Sequence, residues 1–183
     1  MLRSIKGIKT TLVEISEIDA SNIVKLRNDP KYNAFLAQKP FTIQEQLSWT
    51  DKEKKKNDTV NFKVLNNDGE FKGTVSIYDI INNRGEFGRY IVTNPINAIE
   101  AEYLILKYSF EELKLNVVFC QTNLQNKSVW QQHLKFGFKT IETKEVLVGS
   151  APQISVKAVV QEISKAEFEN FDYGKMFELV KKF

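Results

Sequence analysis

Between residues 60 and 92 the sequence alternates apolar and polar side chains in three extended runs, and this constrains the fold more than any other feature. The runs are residues 60–65, 71–81 and 86–92. The tetrads Asn66-Asn67-Asp68-Gly69 and Asn82-Asn83-Arg84-Gly85 divide them. Such tetrads reverse the chain within a few residues, so consecutive runs pair as an antiparallel meander. A helical segment over residues 98–113 follows at once. It carries Ala101, Leu104, Ile105 and Tyr108 on one side and Leu106, Phe110 and Leu113 on another. A helix apolar on two sides packs against a sheet with little face left for water.

The flanking segments complete the pattern. Residues 11–15 alternate as a strand. A helix capped by Asp19 or Ser21 carries Ile23, Val24 and Leu26, and must end near Asp29-Pro30 because the residue before a proline avoids helical geometry. Thr42 and Glu45 form a capping box for a second helix that runs into the lysines around Lys52. Residues 117–122 read as a short apolar strand. A helix over 126–135 closes on Gly137 in a left-handed C-cap, and residues 138–148 and 154–163 form a final strand pair. Ser164 and Glu167 make another capping box, and Met176, Phe177, Val180 and Phe183 recur at helical spacing in a C-terminal segment that docks on the body. Hairpins together with a strand–helix–strand crossover predict an α+β fold with one mixed, mostly antiparallel sheet and flanking helices. No linker or repeat divides the chain, so residues 1–183 are expected to form a single domain with a helical extension over about 164–183.

Composition removes several classes of function. The 183 residues are 42% hydrophobic and 27% charged, enough for a real core. Lys+Arg 26 against Asp+Glu 23 gives a net charge of +3, too diffuse for a nucleic-acid partner. One cysteine and one histidine exclude a disulfide framework and a Cys/His zinc site, so no metal is expected. No apolar run is long enough for a membrane helix, and the N-terminal residues lack the pattern of a signal peptide. The expectation is a cytoplasmic protein with no membrane partner.

Three pieces carry chemistry. They are Gly85-Glu86-Phe87-Gly88-Arg89-Tyr90-Ile91-Val92 leading through Thr93-Asn94-Pro95 into a helix, the helix end Phe110-Glu111-Glu112-Leu113, and Asn126-Lys127-Ser128-Val129-Trp130-Gln131-Gln132-His133 closing on Gly137-Phe138. In this order and spacing they resemble the GNAT superfamily of acyl-CoA-dependent N-acyltransferases over about residues 12–148. With Leu26-Arg27-Asn28-Asp29-Pro30, they look most like the branch of ribosomal-protein N-terminal acetyltransferases and their relatives acting on amino-sugar nucleotides. The resemblance implies a sheet with a splayed strand pair. It also implies an acetyltransferase, with acetyl-CoA as acyl donor and a small-molecule primary amine as acceptor.

The resemblance implies roles for individual residues. Backbone groups of Tyr90, Ile91 and Val92 would pair with the pantetheine arm, and the N–H groups of Asn97, Ala98 and Ile99 would face the pyrophosphate. Asn126 and Trp130 would complete the cofactor side. His133 stands where many members carry the tyrosine that protonates the departing thiolate, and Glu86 is the candidate base for the amine. Arg27, Trp49 and Arg89 would contact the acceptor. Residues 93–101 depart from the family pattern, because they contain no glycine where the pyrophosphate loop is glycine-rich. An amino-sugar nucleotide is the first expected acceptor. A protein N-terminus and a non-catalytic binding module that has lost the cofactor loop are the alternatives, and a homodimer is allowed by the amphipathic C-terminal segment.

Overall fold

The computed structural model describes residues 2–36, 41–149 and 153–182. Its strands are β1 (Ser4–Lys6), β2 (Thr10–Glu14), β3 (Val60–Asn66), β4 (Phe71–Ile81), β5 (Arg84–Val92), β6 (Val117–Asn123), β7 (Lys139–Val148) and β8 (Ile154–Ser164). They form one sheet in the order β1-β2-β3-β4-β5-β6-β8-β7. Its helices are α1 (Ala20–Asn28), α2 (Ile43–Lys54), α3 (Pro95–Glu111), α4 (Lys127–Leu134), α5 (Lys165–Asn170) and α6 (Gly174–Lys182). This is the α+β fold, one mixed and mostly antiparallel sheet with flanking helices, that the sequence predicts. Both capping boxes are present, at Thr42 with Glu45 and at Ser164 with Glu167. Gly137 has φ +93°, the left-handed conformation expected after α4. Of the C-terminal apolar set, Phe183 lies outside the described residues. The sequence reading missed β1, which pairs only with β2 and is three residues long.

The strand period sorts side chains to two very different faces. Phe62, Val75, Ile77 and Phe87 point to one side and are fully or nearly fully buried. There they meet α3 and α4: the Phe62 ring stands edge-on to Tyr108, and Phe87 to His133. Each large apolar side chain buried here contributes about 1.5–3 kcal/mol. The residues between them, Asn61, Thr74, Ser76, Tyr78 and Glu86, occupy the other face beneath α1 and α2. A polar stripe under a helix pair adds little to core stability, so its place in the sheet calls for another explanation.

Two local features set the geometry of β5. Its ladder with β4 shifts register between the Thr74 and Ser76 pairings, so Arg89 and Tyr90 together oppose Val75. Arg89 takes φ +50° in this bulge, and its carbonyl accepts a hydrogen bond from Thr74 Oγ1 at 2.9 Å. Opposite the bulge, a Cβ on Gly73 would stand 2.0 Å from the carbonyl oxygen of Ile91, so only glycine permits the strands to approach here.

Candidate active site

β5 and β6 are the one parallel pair in the sheet, and they pair at only three positions: Arg84 with Val117, Gly85 with Val118 and Glu86 with Phe119. Beyond Glu86 they part. β6 stays bonded to β8 as far as Asn123, and β5 stays bonded to β4 as far as Val92. The result is a fork whose β5 edge has no strand partner. Thr93 N–H donates to the Lys72 carbonyl on β4. Antiparallel alternation then turns Ile91 toward β4 and points the N–H and C=O of Val92 into the fork. The edge therefore offers peptide groups that an amide-bearing chain can pair with as a pseudo-strand.

The start of α3 is less open than the resemblance implies. Asn94 caps the helix, and its Oδ1 accepts from Ile96 N–H at 2.9 Å and Asn97 N–H at 3.1 Å. Pro95 has no N–H, and Ala98 N–H already donates to the Asn94 carbonyl. Asn97 and Ala98 are buried, and the Asn97 side chain donates inward to Lys9 O and Thr10 Oγ1. Ile99 lies within the helix. The expectation that Asn97, Ala98 and Ile99 present free N–H groups is thus corrected: the cap and the first helical turn use them. A pyrophosphate here would have to displace the exposed Asn94 side chain.

Glu86 stands at the apex of the fork, the last residue of β5 paired to β6, on the polar face. Tyr78 Oη donates to one carboxylate oxygen at 2.9 Å and Gln121 Nε2 to the other at 3.2 Å. Burial raises the Glu86 pKa above the ordinary carboxylate range, against the two hydrogen bonds that favour the charge. Burial also pushes the Tyr78 phenol up, so it remains a donor. A carboxylate so placed can take a proton, with a driving force greater than that of an exposed glutamate.

On the same polar face of the sheet a cavity of about 700 Å³ opens beneath helices α1 and α2. Arg27, Trp49 and Arg89, separated by up to 62 positions in sequence, all line it, together with Phe41, Thr74 and Ser76. Arg89 is paired through one end of its guanidinium, Nη1. It donates to Glu53 at 2.7 Å and Asn61 Oδ1 at 2.9 Å, and lies between the rings of Trp49 and Tyr78. The lysine run behaves as a solvated helix end: Lys54 pairs with Glu17 and Lys55 with Asp51.

His133 is placed differently from an open cleft wall. Its ring is 2% exposed, and Nδ1 lies 2.7 Å from Oε1 of Glu102, itself wholly buried. Gln132 Nε2 donates to the other Glu102 oxygen at 2.7 Å and to Tyr90 Oη at 2.8 Å, and Tyr90 Oη donates to Ala98 O. This network ties β5, α3 and α4 together behind the fork. Asn126 caps α4 without a side-chain cap bond, and Trp130 donates its indole N–H to Leu124 O rather than into the fork. Cys120 is buried, and burial raises its thiol pKa well above the ordinary value, as suits an inert core group.

Beside Glu86 the sequence also offers Asp79, Tyr78 and Glu102 as weaker candidates for the base, and it does not single out Gln121, Gln132 or Glu53. The signal for Tyr78 and Gln121 was polar residues at alternate strand positions. Gln132 and Glu102 carried none, because their partners are remote in sequence.

No membrane-crossing helix occurs among the described residues. A comparison with functionally curated proteins gave no match. Solved structures share the fold. FdhC, a nucleotide-linked sugar GNAT determined in its apo form, superposes with a TM-score of 0.76 at 20% identity, covering 97% of this chain and 98% of its own. The spermidine N-acetyltransferase of Vibrio cholerae in complex with CoA and spermine gives 0.75 at 20% identity, covering 88% and 99%. A GNAT-family protein from Chromobacterium violaceum gives 0.79 at 18%, covering 91% and 88%. Residues 9–139 match the Acetyltransferase (GNAT) domain family, and with the forked sheet this places the chain in the GNAT family of acetyltransferases, which use acetyl-CoA.

Proposed function

We propose that the chain transfers acetyl from acetyl-CoA to the primary amine of an amino-sugar nucleotide. The observation that carries this reading is the cavity between the polar face of the sheet and helices α1 and α2, lined by Arg27, which has no carboxylate partner among the described residues. A cation without a carboxylate partner suits an acceptor bearing phosphate and disfavours a polycation such as spermidine. The amine nitrogen attacks the thioester carbonyl carbon, the C–S bond breaks, and its electron pair leaves on sulfur. Val92 N–H supports the oxyanion from the open edge of β5. Glu86 takes the proton from the attacking nitrogen, directly or through water. For His133 to protonate the departing thiolate both ring nitrogens must carry hydrogen, Nδ1–H donated to the Glu102 carboxylate and the Nε2 proton passed to sulfur. Thiol release from acetyl-CoA across a panel of amines tests this. Turnover is expected with an amino-sugar nucleotide and not with spermidine or a peptide N-terminus; release with none of them would refute the acetyltransferase reading.

The closed α3 N-terminus favours a second reading, a GNAT-fold binding module without acetyl-CoA. A thermal shift separates the two. Acetyl-CoA at about 100 times its dissociation constant stabilises its receptor by roughly 2.7 kcal/mol, which corresponds to about 5–10 °C for a chain of this size. No shift at millimolar acetyl-CoA would favour the module.

A further inference from the structure

Arg27 is the one buried side-chain group in the described structure with an unmet hydrogen-bonding need: its Nε is shielded from solvent and has no partner. Its surroundings explain why. The guanidinium lies 3.9 Å from the centroid of the Phe41 ring, which covers one face. Phe41 is itself held in place, since Asn28 Nδ2 donates to its carbonyl at 2.7 Å and its N–H donates to Asn28 Oδ1 at 2.8 Å. The run Leu26-Arg27-Asn28-Asp29 therefore reads as a built seat. Leu26 anchors α1 in the core, Asn28 pins Phe41 over the arginine, and Asp29 accepts from Lys31 N–H in the turn that follows.

The carboxylates nearest the cavity have other partners. Glu53 gives one oxygen to Arg89 and the other to Lys56. Glu45, on the cavity lining, is held by the N–H and hydroxyl of Thr42. Lys52, also on the lining, adds positive charge. Burial first, and then the charge of Arg89, draw the Arg27 pKa down to about 10, still charged at neutral pH. A half-buried guanidinium whose shielded Nε has no partner is costly to a folded chain, whereas one paired edge-on with a phosphate or carboxylate makes two charge-assisted hydrogen bonds.

We propose that Arg27 is the seat for an oxyanion, a phosphate or carboxylate group, carried by the acceptor. Arg89 already has a carboxylate, Glu53, set against its charge, whereas Arg27 has none among the described residues. The location of this seat in the acceptor site rests on the acetyltransferase reading; anion binding at Arg27 does not.

The test titrates three probes, UDP, inorganic phosphate and glucuronate, into the full chain with millimolar CoA present, so that any donor site for phosphate is already filled. Calorimetry reads binding, and acetyl transfer is followed separately. Binding of a phosphate probe or of glucuronate, weakened about 10- to 100-fold in Arg27→Gln and less in Arg27→Lys, supports the seat and names the source of the oxyanion. The melting temperature of Arg27→Gln should be unchanged or higher, because the substitution removes an uncompensated charge. No binding of any probe below about 10 mM, or equal binding by the wild type and Arg27→Gln, would overturn the proposal. Arg27-dependent probe binding without acetylation of any amine would leave the seat standing and remove the acetyltransferase reading. Acetylation with an acceptor KM indifferent to Arg27→Gln would do the reverse.

Discussion

Glu86→Gln is expected to lower kcat/KM by about 10²- to 10⁴-fold, the usual contribution of a positioned general base, without loss of stability near neutral pH. The carboxylate sits at the fork apex with a donor on each oxygen, Tyr78 on one side and Gln121 on the other. Burial still dominates and lifts its pKa above the ordinary value. Asp79 adds to this lift and Arg89 opposes it. The sign of the pH dependence follows. The base works only when deprotonated, so kcat/KM should rise with pH through the raised folded pKa, and that limb should vanish in Glu86→Gln. Stability runs the other way. A carboxyl whose folded pKa exceeds its unfolded one contributes stability that is present below the unfolded pKa and lost as pH rises through the folded pKa. The neutral amide escapes that loss, so Glu86→Gln should melt no lower than the wild type at pH 7. Thiol release between pH 5 and pH 9 with matched thermal melts checks both halves. Near-normal turnover with an unchanged acid limb in the variant would transfer the proton to water and backbone carbonyls.

A residue needed for chemistry often weakens the fold that holds it, and the polar face of the sheet shows this in several places. Asn61, Ser76, Tyr78 and Glu86 alternate with Phe62, Val75, Ile77 and Phe87, and that period was visible in the sequence. It gave the strands, their order through the meander and the two faces. The capping boxes and Gly137 gave helix limits because each is a local device, complete within a few residues. The residues of the cavity were legible individually, but their state was not. Arg27 and Arg89 read alike in sequence. Only in the folded chain does Glu53, from α2, claim Arg89 and leave Arg27 without a carboxylate. The same holds at the α3 N-terminus. Its missing glycines were plain, but whether the helix start stays open depends on the rotamer of Asn94, which turns back onto Ile96 and Asn97. His133 is the sharpest case. Spacing from Asn126 placed it on a stripe facing the fork, and nothing local pointed to Glu102, 31 residues earlier, as the partner that draws it inward.

That pair leads to the largest expected effect on stability. Glu102→Ala should cost about 3–5 kcal/mol, because it leaves the buried His133 without its acceptor and half-buried Gln132 with one acceptor fewer. For a chain of this length the melting temperature should fall by about 10 °C or more. The network also fixes Tyr90 through Gln132, so the free edge of β5 should loosen, and faster amide exchange at Ile91, whose N–H faces β4, would report it. A second variant separates packing from chemistry. Replacing the pair together, with Glu102→Leu and His133→Phe, removes both polar groups from an apolar pocket lined by Phe87 and Phe138, and should recover most of the lost stability. If His133 Nε2 delivers the proton to sulfur, this double variant stays slow in kcat while binding CoA normally. Turnover restored along with stability would show the pair to be a brace for the fork, and the proton on the leaving thiolate would have to come from solvent.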